Sequence, residues 1–190
     1  DNSKETAVLQ NSEIVSDIFL DNLKMATPWI IKSVNIQLLL SQVDKGHTSQ
    51  LLHIAAHFSN LLKVSERVVV RHDAGSALVH IAHLLEPDQR NEIATELAKG
   101  LEVGEYAFSK YIPVYLGEFA LWLPPQELDE LIARLDVLLS SPADNIVEVA
   151  LDTVGVLLEC YSKYRGRFAE DGETYLAREH RLLGMLFKGL

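Results

Sequence analysis

The sequence predicts an all-α protein built from helices stacked in antiparallel pairs, and three observations predict it. Strand signals are almost absent, while apolar residues recur at helical spacing in segment after segment. Each segment is bounded by Pro, Gly, Asn or Asp, the residues that start and stop helices. The chain also superposes on itself when slid along by 38 residues.

About nine helices are expected. A polar N-terminal tail covers residues 1–10, and a single helical-repeat domain covers 11–190. Ile14, Ile18, Phe19 and Leu23 mark the first helix, for which Ser12 is a plausible N-cap. Pro28 opens the second, which carries Ile31, Val34, Leu38 and Leu39 and stops at Gly46. A third runs from about Thr48 to Val64 and a fourth from about Glu66 to Leu85. Pro87 starts a fifth that ends near Gly104, and a sixth spans about Tyr106 to Leu123. Pro124 and Pro125 break the chain and prime a seventh, which ends at Ser140, Ser141 and Pro142. The eighth covers about Asp144 to Tyr164, a polar loop Arg165 to Glu173, and the last about Thr174 to Lys188.

The 38-residue shift aligns Val70, Phe108 and Ile146; Ala74, Ile112 and Ala150; Leu78, Leu116 and Val154; and Ile81, Phe119 and Leu157. It also pairs Gly117 with Gly155, Pro87 with Pro125, Leu97 with Leu135 and Leu101 with Leu139. These positions step along one face of each helix, so the pattern describes a buried face repeated three times. A two-helix unit of this length is the mark of a solenoid.

The segment Val70-Arg71-His72-Asp73-Ala74-Gly75-Ser76-Ala77-Leu78 resembles the second helix of HEAT repeats, with Val-Arg, a small pair and then Ala-Leu; Val147 to Gly155 follows it more loosely. The middle repeat departs from the family, with Tyr111, Pro113 and Tyr115 where small residues or an unbroken helix are preferred. Pro113 is expected to kink that helix or to sit near its first turn. The resemblance covers residues 48–164 and implies a HEAT-like or armadillo-like right-handed α-α superhelix. Such repeats host many unrelated functions. A fainter resemblance lies in Ala26-Thr27-Pro28-Trp29-Ile30-Ile31-Lys32 with Leu51-Leu52-His53-Ile54-Ala55-Ala56-His57-Phe58, which is similar to helical regions attached to bacterial nucleotidyltransferase and HD-type phosphohydrolase domains. It implies a regulatory or scaffolding appendage of a larger enzyme.

Composition narrows the partners. An apolar fraction of 48% over 190 residues supports a substantial core. Lys and Arg total 17 against 27 Asp and Glu, a net charge of −10, which repels nucleic acid. The longest apolar run, Ile112 to Pro125, is interrupted by Glu118 and falls short of the roughly 20 residues a membrane span needs. No secretory signal opens the chain, and the single Cys160 fits a reducing, cytoplasmic setting as a buried thiol. The chain begins at Asp1 without Met and reads as a fragment or processed form, so a catalytic domain outside it is compatible with the sequence.

Seven histidines invite a test for chemistry. His53 and His57 stand at i, i+4, the spacing of two zinc ligands, but Ile54 follows His53 where a metalloprotease helix carries its glutamate. The plainer reading is amphipathic histidines on a helix whose core face is Ile54, Phe58 and Leu62. His72-Asp73 is shared with HD phosphohydrolases but falls inside the repeat helix, where solvated surface accounts for it. A metal hydrolase would need His53, His57, His72 and Asp73 to converge. His80 and His83 near a helix C-terminus need only a structural role. Nucleophile elbows, P-loops, dinucleotide fingerprints and CxxC pairs are absent, so no catalytic residue, metal site or cofactor is expected.

Tyr106, Phe108, Tyr111, Tyr115, Phe119 and Trp122 crowd one predicted helix. Phe108 and Phe119 occupy the buried register, whereas Tyr111 and Tyr115 fall off it and are candidates to line a groove. The cluster Lys163-Tyr164-Arg165-Gly166-Arg167 is either a complement to a helix C-terminus or an anion-binding site. The expectation is a non-catalytic module for protein interaction or regulation, with successive second helices lining a concave face and the terminal helices capping the stack. Arg71, Lys110, Tyr111, Tyr115, Glu148 and Asp152 are its candidate contact residues. The alternative is an accessory domain of a multidomain nucleotidyltransferase or phosphohydrolase, whose partner is another domain of the same polypeptide.

Overall fold

A computed structural model describes residues 17–23, 27–103, 105–164 and 171–189. The expected tail at 1–10 and the Ser12 cap lie outside the described residues. The protein is all-α, and no strand occurs among the described residues. It falls into two compact units, Asp1–Gln89 and Arg90–Leu190.

In the first unit a short helical stretch at 17–21 precedes α1 (Trp29–Asp44), α2 (Leu51–Val64), α3 (Val68–Ile81) and a 3-10 turn at Ala82–Leu84. Pro28 caps α1 with extended backbone. Gly46 ends it at φ 91°, a value that favours glycine. The His47 amide donates to the Gln42 carbonyl at 3.1 Å and the Gly46 amide to Val43 at 2.9 Å, the paired bonds of a Schellman turn. α3 is the centre of the unit and packs on both α1 and α2. Its inner face is Val70, Ala74, Leu78 and Ile81, all buried, as the repeat predicts. Ile54, Phe58 and Leu62 face inward from α2, also as expected.

In the second unit follow α4 (Pro87–Leu101), which begins at the unit boundary, α5 (Tyr106–Ser109), α6 (Ile112–Phe119), a 3-10 turn at Ala120–Trp122, α7 (Pro125–Leu138), α8 (Asp144–Lys163) and α9 (Gly172–Lys188). α8 is the hub, packed by α5, α6, α7 and α9, most extensively by α6. The close approach of α6 rests on Gly117, where an added Cβ would lie 2.5 Å from Val156 Cγ1. Asp171 caps α9 by accepting from the Thr174 amide at 2.7 Å, so that helix starts two residues before the expected Thr174. The rest of the expected Arg165–Glu173 loop, residues 165–170, lies outside the described residues.

Two expectations about these helices need correction. The single helix expected from Tyr106 to Leu123 is three pieces, because Pro113 lacks an N–H and stands in the first turn of a new helix. Phe108, assigned to the buried register, sits on the one-turn α5 and is exposed. In α1, Leu39 is buried, but Ile31, Val34 and Leu38 face outward.

The 38-residue spacing reappears in the backbone. The 3-10 turn Ala82–Leu84 recurs as Ala120–Trp122. Leu85 and Leu123 are each extended after it, with ψ 149° and 143°, and Pro87 and Pro125 each open the next helix. Leu123 directly precedes Pro124, which drives it out of the helical region, and both helices run down through a 3-10 turn before the next proline-led helix.

A tyrosine–arginine network holds α9. Arg178 is buried; its guanidinium donates to Asp129 on α7 and, at 3.0 Å, to the Tyr161 hydroxyl on α8. The Tyr161 and Tyr175 rings stack at 4.7 Å, and the Tyr175 hydroxyl donates to Glu179 at 2.9 Å.

Candidate interaction surface

α1 has the sequence WIIKSVNIQLLLSQVD and carries aliphatic side chains on both its inward and its outward side. Ile36, Leu39 and Val43 point inward with Asn35, which donates to the Ile31 carbonyl at 2.7 Å and so keeps its buried amide satisfied. Lys32 is also buried. The outward side shows Ile30, Ile31, Val34, Gln37, Leu38 and Ser41. Ile30 is 58% exposed, Val34 51% and Leu38 40%. No charged side chain lies on that side before Asp44. In a chain of net charge −10 this is an unusual stretch of surface. A helix that is hydrophobic all round is one that buries both sides.

The apolar surface continues past Trp29. Trp29, Val68 and Val69 border one shallow recess with Glu66 and Arg67. The Arg67 guanidinium lies over the Trp29 ring at 5.7 Å. Val68 and Val69 occupy the first turn of α3 and are exposed.

The residues expected to contact a partner are placed differently. Arg71 is buried and donates its Nε–H to the Ser65 carbonyl at the C-terminus of α2. Tyr115 is buried as well, so it packs in the interior instead of lining a groove. Lys110, Glu148 and Asp152 are exposed, and Tyr111 is half-buried with the Lys110 ammonium 5.1 Å from its ring. Glu148 accepts from the exposed Tyr106 hydroxyl at 3.0 Å. That bond to a carboxylate raises the Tyr106 pKa, with burial adding to it. Partial burial, then the neighbouring Glu148, raises the Asp152 pKa from its ordinary value. Tyr106, Glu148 and Asp152 thus form one acidic patch of the second unit, while Arg71 belongs to the first.

The histidines do not assemble a metal centre among the described residues, where no group of three or more His, Cys, Asp or Glu side chains is placed to hold an ion. His53 and His57 instead meet edge to face at 4.8 Å. His72 is exposed and Asp73 half-buried. His80 Nε2 lies 3.1 Å from Asp44 Oδ1 on the surface. Cys160 is half-buried instead of fully enclosed, and burial with Glu118 and Glu159 raises its thiol pKa. Of the basic cluster, Lys163 is exposed with its ammonium 5.4 Å from the Tyr164 ring, and 165–167 lie outside the described residues. Among the described residues, no helix is long and apolar enough to cross a membrane.

The chain matches no family model, no curated protein and no solved structure. Its surface therefore carries the functional argument. The expectation of a contact face on the second helices overlooked α1, although the signal stood in the sequence: between Trp29 and Asp44 the only charge is Lys32.

Proposed function

We propose that the chain is a non-catalytic helical-repeat module that binds protein, and that the outward side of α1 is its contact surface. The observation that carries this is the exposed, uncharged row Ile30, Ile31, Val34 and Leu38. Such a row offers nothing to phosphates or metal ions and matches the apolar side of a partner helix. Covering each of these half-exposed side chains contributes roughly 1 kcal/mol, half of a full aliphatic burial. The HEAT-like reading draws support from the 38-residue recurrence of turn and proline, and an antiparallel α-α superhelix is the architecture it suggests. A further domain of the same polypeptide is a partner of the same kind, the arrangement expected of an accessory domain in a nucleotidyltransferase or phosphohydrolase.

The test is photo-cross-linking in the native host, with a benzophenone amino acid placed at Val34 or Leu38 and, as control, at exposed Gln126. The proposal expects one dominant cross-linked protein segment, apolar on one helical face, from the first two positions only. A segment from the same polypeptide selects the accessory-domain form; a segment from another protein selects the stand-alone module. Equal labelling from all three positions would sink the proposal.

A further inference from the structure

We infer that the second unit carries a docking edge for a basic amphipathic helix of a partner protein, formed by α9 and the acidic side of α8 next to it. Leu128, Leu131, Leu135 and Leu138 on α7 and Tyr175, Arg178, Leu182 and Met185 on α9 have the same spacing and are all buried. Asp129 and Asp136, each directly after one of those leucines, mark the side of α7 that α9 covers. Asp129 accepts from Arg178, and Asp136 lies 3.6 Å from the Lys188 ammonium. Leu176 and Leu183 hold the same two places on α9. There they are exposed, and Phe187, one turn further, is 72% exposed. The side on which α7 receives a helix is thus repeated on α9 as a bare apolar row at i, i+7 and i+11, the pattern that an amphipathic helix covers.

α8 sets the charge of the occupant. Leu151, Gly155 and Ser162 on α8 meet α9: Leu151 lies against Gly189, Leu186 reaches toward Gly155, and the Ser162 hydroxyl donates to Glu179 at 2.9 Å. Glu148, Asp152 and Glu159 stand three or four positions from these contacts, so they form the neighbouring row on the helix surface, and all three are exposed. Ahead of Lys163, α8 has no basic side chain. A helix seated on the leucine row therefore has carboxylates along its flank, in a chain whose net charge of −10 attracts cationic partners. A second copy of the chain brings the same charge and is opposed by the same field. The edge belongs to the second unit and the outward side of α1 to the first, so it is distinct from the surface proposed above.

The test uses two fluorescein-labelled helical peptides with the same leucine stripe, one flanked by lysine and the other by glutamate, each titrated with the 190-residue protein while anisotropy is followed. Saturable binding of the lysine peptide is expected, about tenfold or more tighter than that of the glutamate peptide. Leu176→Ser combined with Leu183→Ser should weaken the lysine peptide about tenfold. Asp152→Asn combined with Glu159→Gln should weaken it by about the same factor and flatten its salt dependence. All four of these side chains are exposed, so the variants fold, and Leu38→Ser on α1 should leave the affinity unchanged. The inference is overturned by no saturable binding of the lysine peptide, by equal affinity for the two peptides, by affinity that survives loss of both leucines, or by a dimer in sedimentation that the double serine variant dissociates.

Discussion

Arg178 grips Asp129 with two hydrogen bonds, Nε to Oδ1 at 2.8 Å and Nη2 to Oδ2 at 3.1 Å, across 49 positions of sequence. The two partners are not equivalent. The Arg178 side chain is 5% exposed, whereas that of Asp129 is 48% exposed. Asp129→Ala leaves a buried guanidinium without its carboxylate and should cost about 3 kcal/mol. Arg178→Met removes the buried charge along with the bond and should cost about half as much. Urea denaturation of the two variants checks the order, and equal costs would contradict it.

The same pair sets an acid dependence. Arg178 holds the Asp129 carboxyl below its ordinary value, first through the hydrogen bonds and then through its charge. A carboxylate with a lowered folded pKa stabilises above its unfolded pKa, near 4, and that contribution disappears as pH falls through the folded value. Asp129 is half-exposed, so the effect is modest. Thermal unfolding of Asp129→Asn should lose less stability than the parent protein between about pH 5 and pH 2.

Gly117 and Gly155, which the repeat aligns, should respond oppositely to alanine. At Gly117 the new Cβ meets Val156 Cγ1 at 2.5 Å, Val156 Cβ at 2.7 Å and the Leu157 amide nitrogen at 3.1 Å. α6 must move off α8, at a cost of about 2–3 kcal/mol. At Gly155 the nearest atom is Leu186 Cδ2 at 3.9 Å, so alanine there gains about 0.5–1 kcal/mol from helix propensity. Melting temperatures that move in the same direction would refute the close approach.

Phe108 and Phe119 separate the expected repeat from the observed one. Phe119 is fully buried and Phe108 is 39% exposed. Phe119→Ala should cost about 3–5 kcal/mol and Phe108→Ala less than about 1 kcal/mol, measured by chemical denaturation.

Cys160 should alkylate slowly at neutral pH. Its thiol pKa is raised first by burial, then by Glu118 and Glu159, against a smaller opposing effect of Lys163. Labelling with iodoacetamide at pH 7.5 should run slower than for a free thiol, and Glu118→Gln should speed it.

Much of the fold was legible because its punctuation is covalent. Pro87 and Pro125 have no amide hydrogen and fixed φ, so helix starts at these positions could be read directly. The inward positions Ala74, Leu78, Leu116 and Val154 could be read from spacing alone. The failures share a cause as well. In α1 apolar residues fall on both sides of the helix, so periodicity carries no phase, and Ile31, Val34, Leu38 and Leu39 mark the helix in the sequence without separating the buried Leu39 from the outward three. Phe108 kept its place in the repeat, but Pro113 had severed its turn from the helix that would have turned it inward. Arg71 looked like surface because its class usually is; a buried guanidinium satisfied by the Ser65 carbonyl leaves no trace in the residue pattern.

The aliphatic side chains that α1 shows outward, in addition to those it buries, give the molecule an unusual relation to its solvent. Its net charge of −10 keeps copies apart by repulsion, a force that ordinary salt weakens. The bare aliphatic row works the other way, since sulfate and phosphate salts strengthen the tendency of such surface to leave water. Both influences act in one direction as ionic strength rises. The protein is therefore a particle whose stickiness is tuned by the identity of the anion: chloride only lowers the repulsion, while sulfate also sharpens the attraction.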